Sequence, residues 1–196
     1  RNGKGQLRES GAAIVAEQPE LVIGAIIPTY RHVTRLPEIV GRLKALGLPI
    51  LIVDDGNAEA EAAAIHELHD PAARIRVLRR HENSGKGAAV KTGLRGAQGL
   101  GWTHAVQVDA DGQHDLGMAQ ALIDLALANP RAVICGVPVY DASIPKSRKV
   151  GRHITHFWVR VETMSNEISD SMCGFRVYPV DETTAVIDRE MIGDRM

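Results

Sequence analysis

From Leu21 onward, short apolar runs alternate with longer stretches in which apolar residues recur every three or four positions. The runs are 21–28, 49–53, 75–78, 105–108 and 132–139. Each has the length of a strand buried on both faces, where polar and apolar positions need not alternate. Between them, 36–46, 58–69, 86–98 and 118–127 carry the helical spacing, as in the stripe Leu36, Ile39, Val40, Leu43 and Leu46. Strand and helix in repeated alternation predict right-handed crossovers and a mostly parallel α/β sheet with helices on both faces. Asp54, Asp55 and Asn57 are candidate caps for the second helix, and Ser84 for the third.

The pattern changes outside this block. Residues 1–20 have glycines, mixed charges and no period, so a flexible arm is expected ahead of a single domain over 21–196. Residues 141–149 read as a polar loop, and 150–168 as a helix with an aromatic patch at Phe157 and Trp158. A last extended segment is expected over 171–179, with a helix over 182–192. The chain opens on Arg1 and stops at Met196 within a helix-like segment, so it is expected to be part of a longer protein, cut short at its C-terminal side.

Composition narrows the class. Hydrophobic residues make up 44% of the 196 positions and charged ones 24%, which suits a globular chain and excludes a wholly disordered one. With 23 basic and 24 acidic side chains there is no basic field of the kind a nucleic-acid binder uses. The longest apolar run is far short of the ~20 residues of a membrane span. Cys135 and Cys173 cannot build a disulfide framework, and a reducing, cytoplasmic setting is expected.

The chemistry lies in where polar residues fall. In an open α/β sheet, ligands sit outside the carboxyl ends of the strands. There the sequence places Pro28-Thr29-Tyr30-Arg31, Asp54-Asp55-Gly56-Asn57, Asn83-Ser84-Gly85-Lys86-Gly87 and Asp109-Ala110-Asp111-Gly112-Gln113-His114. Asp109 and Asp111, two apart after a buried strand, point to one face if the strand continues. Such paired carboxylates repel unless a cation lies between them. Oxygen ligands without sulfur suit Mg2+ or Mn2+, with Gln113 and His114 as possible neutral ligands. The plainer reading is an Asx turn at a strand end.

Asn83 to Gly87 has the small residues and helix start of a phosphate cradle, but not Walker spacing; the alternative is a solvated loop. Asp54 and Asp55 either cap a helix or accept hydrogen bonds from a nucleobase or ribose. Tyr30 either stacks on a base or covers the sheet edge. Cys173 reads as inert packing, and every histidine but His114 as structural or solvated. Lys146, Arg148, Lys149 and Arg152 form a basic run that is either a solvated face or a phosphate holder.

Together, the segment 25–30, Val53-Asp54-Asp55-Gly56, the Asn83–Gly87 loop and Asp109-Ala110-Asp111 resemble the family 2 glycosyltransferases, which have the Rossmann-like GT-A fold. The resemblance covers about residues 21–180. Asn-x-Gly-Lys-Gly followed by Asp-Ala-Asp-Gly-Gln is most similar to the polyprenyl or dolichyl phosphate sugar transferases, as is Ser171-Met172-Cys173-Gly174-Phe175-Arg176. The resemblance implies an inverting, metal-dependent transfer of a sugar from a UDP- or GDP-sugar to a lipid-linked or other acceptor. It implies that Pro28, Tyr30 and Asp54 or Asp55 hold base and ribose, with Lys86 near the nucleotide. It assigns Asp109 to ribose or metal, and Asp111 with Gln113 to the divalent ion. That ion would neutralise the leaving diphosphate.

Two departures accompany it. Gly136-Val137-Pro138 stands where the lipid-phosphate enzymes have Gly-Ser-Arg, so Arg148 or Arg152 would supply that cation. The family's acceptor-side Asp would lie beyond Met196, since Asp194 is a poor candidate. Peripheral attachment at the inner membrane face would suit a lipid-linked acceptor. A sugar nucleotidyltransferase, or a nucleotide-sugar-binding domain without catalysis, are the competing readings.

Overall fold

The computed structural model describes residues 21–137 and 174–189. In chain order these form β1 (Ile23–Thr29), α1 (Leu36–Ala45), β2 (Ile50–Asp54), α2 (Glu59–His66), β3 (Ile75–Arg79), α3 (Lys86–Gly99) and β4 (His104–Gln107). A 3-10 turn (Leu116–Met118), α4 (Ala119–Ala128), β5 (Ile134–Cys135), β6 (Arg176–Pro179) and α5 (Val180–Arg189) follow. The strands join one six-stranded sheet in the order β3-β2-β1-β4-β6-β5. The first four are parallel, while β6 runs antiparallel to both β4 and β5.

The helices explain the unbroken apolar runs. On β1 and β2 alternate residues face opposite sides. Ala25, Ile27, Ile50 and Ile52 pack with Leu36, Ile39, Val40 and Leu43 of α1, Ile65 of α2, and Ile123 and Ala126 of α4. Ile26, Leu51 and Val53 face Ala89, Val90, Leu94 and Ala97 of α3, with Val180 at the start of α5. Helix α3 lies close on the sheet because its sequence is small there: a β-carbon on Gly93 would fall 2.4 Å from Ile26 Cγ2. That seat fixes the helix whose first residue is Lys86.

The expected mostly parallel α/β sheet with helices on both faces is present. Its details differ. Among the described residues of the 132–139 run, Ile134 and Cys135 form a two-residue strand paired with β6. Helix α2 ends at His66, three residues before the expected 69, and α5 starts at Val180 rather than 182. Neither proposed cap forms. Helix α2 is capped at Ala58 through the Glu61 carboxylate, 3.2 Å from the Ala58 amide, and α3 has Gly85 as N-cap without a side-chain bond. The 1–20 arm, the 141–149 loop, the 150–168 helix with Phe157 and Trp158, and Cys173 lie outside the described residues. So do Lys146, Arg148, Lys149, Arg152 and Asp194.

Candidate functional site

Strand register brings the polar ends together. Thr29 pairs with Asp54, and Asp54 with Arg79, in one row at the carboxyl edge. Above this row opens a cleft of about 360 Å³ lined by Pro28, Thr29, Tyr30, Asp55, Lys86, Asp109 and Asp111. His32, Asn83 and Gly85 complete its polar lining.

The two adjacent acids play different parts. Asp54, 1% exposed, lies beneath the cleft rather than in its lining. Its Oδ1 accepts the Asn57 amide at 2.9 Å and Asn57 Nδ2 at 2.7 Å. Asn57 Nδ2 also donates to the Thr29 carbonyl, and Asn57 Oδ1 accepts the Arg31 amide at 2.7 Å. This knot ties β1 to β2 and holds Arg31 at a left-handed φ of 61°. The Asp54 carboxylate is thus engaged by scaffold groups on both oxygens, with Arg79 Nε 3.5 Å from Oδ2.

Asp55 does line the cleft, yet its oxygens face inward partners. Arg80 Nε lies 2.8 Å from Oδ1, Asn83 Nδ2 3.2 Å from Oδ2, and the Gly85 amide donates to Oδ2 at 3.1 Å. The Ser84 amide reaches Oδ1 at 3.5 Å. A carboxylate ahead of a helix start complements the N-terminal dipole, so Asp55 holds the loop that leads into α3 from another strand end. The loop amides that resembled a phosphate cradle are therefore partly engaged by Asp55. Gly56 makes the approach possible: at φ 71°, a β-carbon there would meet the 82–83 backbone at 2.5 Å. Arg80 also donates to the Ala88 carbonyl and to Thr92 Oγ1, locking the loop onto α3.

Asp109 is tied to three other side chains. Lys86 Nζ donates to its Oδ2 at 2.7 Å, and Gln107 Nε2 to its Oδ1 at 3.3 Å. Gln107 is set in turn by the Tyr178 hydroxyl, which donates to Gln107 Oε1 at 3.1 Å. Burial, the larger influence, raises the Tyr178 hydroxyl above its ordinary value, keeping it a donor. The Asp109 amide donates to His114 Nδ1 at 3.2 Å, so the neutral ring carries its proton on Nε2, 3.5 Å from Asp109 Oδ2. His114 stacks on Phe175 with centroids 5.0 Å apart. Burial pushes the imidazole below its usual value, against the opposing pull of Asp109 and Asp111.

Asp111 is more open. Its Oδ1 accepts the Gln113 amide at 3.0 Å, the Asx turn the sequence allowed, and it coexists with a place in the cleft wall. Gln113 itself is exposed at the turn, outside the cleft lining. Tyr30 is half-buried, with the Arg31 guanidinium 4.9 Å from its ring centroid.

Among the described residues, no group of three His, Cys, Asp or Glu side chains is arranged to hold a metal by itself. Two carboxylates on one cleft nevertheless suit a hard cation that keeps waters and takes further oxygens from a phosphate ligand. Thr29 lines the same cleft, and its buried Oγ1 has no hydrogen-bond partner among the described residues.

Sequence reasoning missed several supports. Gln107 and Tyr178 hold Asp109, Arg80 holds Asp55, Asn57 joins the strands, and His32 reaches the cleft wall. A glutamine inside an otherwise apolar strand was the one available signal for the first.

A four-strand parallel sheet with an antiparallel return strand, and an Asp-x-Asp beside a cleft at its carboxyl edge, defines the GT-A class. Glycosyl transferase family 2 matches residues 25–194, and the chain belongs to that family. A dolichyl-phosphate beta-glucosyltransferase of Dictyostelium discoideum is 27% identical over 179 residues, covering 81% of this chain and 54% of the relative. A polyprenol monophosphomannose synthase of Mycolicibacterium smegmatis is 37% identical over 120 residues, covering 59% and 44%. The chain thus spans about half the length of these relatives. Glucosyl-3-phosphoglycerate synthase from Mycobacterium tuberculosis, solved with Mn2+, UDP-glucose and phosphoglyceric acid, superposes with a TM-score of 0.59. At 14% identity over 83% of this chain and 58% of that one, the match shows the shared fold.

Proposed function

We propose that this chain binds a nucleoside-diphosphate sugar in the cleft and transfers the sugar to the phosphate of a polyprenyl lipid. The observation that carries the reading is the meeting of Tyr30, Lys86, Asp109 and Asp111 in the lining of one cleft. Family membership and the two polyprenol-directed relatives support it.

In this reading Pro28 and the open side of Tyr30 receive the base, while Asp55 shapes the floor by holding the Asn83–Gly87 loop. Lys86 offers a cation to the diphosphate. Asp111 and Asp109, with Gln113 swung in from the turn, hold Mg2+ or Mn2+, and a divalent ion so placed supplies charge neutralisation for the departing nucleoside diphosphate. A lipid phosphate is already anionic, so an oxygen of it can attack the anomeric carbon without a general base. Arg148 and Arg152 are proposed to meet that phosphate. No described helix is long and apolar enough to cross a membrane, and attachment at the inner membrane surface is proposed.

The test is product analysis with UDP- and GDP-sugars, Mn2+ and a short-chain polyprenyl phosphate. Release of nucleoside diphosphate together with a glycosylated lipid is expected. Release of pyrophosphate would assign a nucleotidyltransferase instead, and calorimetric donor binding without turnover would assign a binding domain.

A further inference from the structure

Of the two cleft carboxylates that follow β4, Asp109 is paired with a cation and Asp111, among the described residues, is not. Lys86 Nζ lies 2.7 Å from Asp109 Oδ2, its side chain 40% exposed against 18% for Asp109. Asp111 makes no ion pair among the described residues and is bonded through the Gln113 amide. The ammonium therefore occupies Asp109 Oδ2, an oxygen that a divalent ion shared between the two acids would use.

Several features make this contact easy to exchange. Lys86 is the first residue of α3, directly after its N-cap Gly85. A positive charge there is opposed by the helix dipole, so local helix energetics do not hold it. Its four-carbon stem is flexible and its ammonium a compact point charge, unlike a planar guanidinium. Asp109, by contrast, is fixed: Gln107 holds Oδ1, His114 holds its amide, and Gly174 lies against the carboxylate. Only the lysine can move.

We infer that Lys86 is an internal cation that occupies Asp109 in the donor-free protein and transfers to the donor's diphosphate when the divalent ion binds. The inference deepens the reading of the cleft given above and rests on its metal assignment. A divalent ion and an ammonium on the same carboxylate oxygen repel each other, so the ion alone must displace the lysine. A diphosphate gives the displaced ammonium a new partner. Ion and nucleotide thus bind cooperatively through one side chain, and the coupling is reciprocal.

The inference makes predictions of opposite sign for one substitution. Lys86→Met is expected to tighten Mn2+ binding in the absence of nucleotide by about threefold, the scale of a partly exposed ion pair. The same variant is expected to weaken nucleoside-diphosphate binding and to lose most of the mutual enhancement between ion and nucleotide. Mn2+ affinity is read by electron paramagnetic resonance of the unbound ion, and nucleotide affinity by calorimetry, so neither depends on turnover. Lys86→Gln repeats the measurement with a polar side chain, and circular dichroism checks the fold of both. Equal or weaker Mn2+ binding in the folded variants would overturn the exchange while leaving the metal assignment standing. Asp111→Asn separates the two: wild-type Mn2+ affinity in that variant, or no Mn2+ binding by the unsubstituted chain, would remove the metal assignment and the exchange with it.

Discussion

Gly174 leaves no room for a side chain beside the carboxylate of Asp109: a β-carbon on Gly174 would fall 2.3 Å from Oδ2 and 2.5 Å from Oδ1. No other side chain fits there unless Asp109 moves. A short carboxylate has little freedom to yield, since Gln107 holds one oxygen and Lys86 the other. The Gly-Phe-Arg segment is thus part of the site although it arrives from a strand late in the chain.

Gly174→Ala is expected to displace the Asp109 carboxylate and to cost about 100-fold in transfer, the usual scale of a misplaced catalytic group. The far-ultraviolet circular dichroism should be unchanged, because the sheet pairing of β6 begins two residues later at Arg176. Wild-type turnover would show that Asp109 tolerates the shift and does not set the reaction geometry.

The Asp55 carboxylate is 2% exposed and holds the loop that carries Lys86. Asp55→Ala leaves Arg80 beside a void and the Ser84 and Gly85 amides without their acceptor. Breaking a buried pair by removing one partner costs about 3 kcal/mol, the lower end applying because Arg80 is partly exposed. Asp55→Asn keeps one acceptor oxygen and should lose less. Urea denaturation measures both; a change within about 0.5 kcal/mol for the alanine variant, the range of an ordinary surface substitution, would show that the clamp is not a stability element.

Most of the sheet and the list of cleft segments were legible in the sequence, because buried strands announce themselves as Val- and Ile-rich runs and the polar ends follow them in order. Which member of each polar pair faces the cleft was not. Asp54 and Asp55 are neighbours, both buried, and the Asn57 knot and the Gly56 turn accompany the difference that only Asp55 lines the cleft. The β6 partnership was equally hidden, since antiparallel return to β4 depends on contacts 71 residues apart, such as Tyr178 with Gln107. The short β5 had a misleading signal: an apolar run of full strand length of which, among the described residues, two pair.

His114 gives stability a dependence on acidity. Burial holds its folded-state imidazole below the ordinary value near 6.5. Above that value the ring is neutral in both states and its contribution is fully present. As the pH falls through the ordinary range the unfolded chain takes up a proton that the folded ring resists, so stability is lost until the folded-state value is also passed. Thermal midpoints recorded from pH 7.5 down to about pH 5, without metal, should fall more steeply for the unsubstituted chain than for His114→Gln. Parallel curves would show that the ring is not held neutral by its burial.

Asp111 separates metal chemistry from folding. Its Oδ1 accepts the Gln113 amide, which an asparagine oxygen at the same place can also do, so Asp111→Asn keeps the turn and removes the charge. The melting temperature without ligands should be unchanged. A donor that binds the folded unsubstituted chain at 100-fold above its dissociation constant should add about 2.7 kcal/mol of stability in the presence of Mn2+. In the asparagine variant that gain should shrink to the gain seen without the ion, and transfer should fall with it. The comparison is made with UDP- and GDP-sugars, each with Mn2+ and with chelator, by thermal shift. If Asp111→Asn retains the full ion-dependent gain, the divalent ion is held elsewhere and the carboxyl end of β4 serves the nucleotide alone.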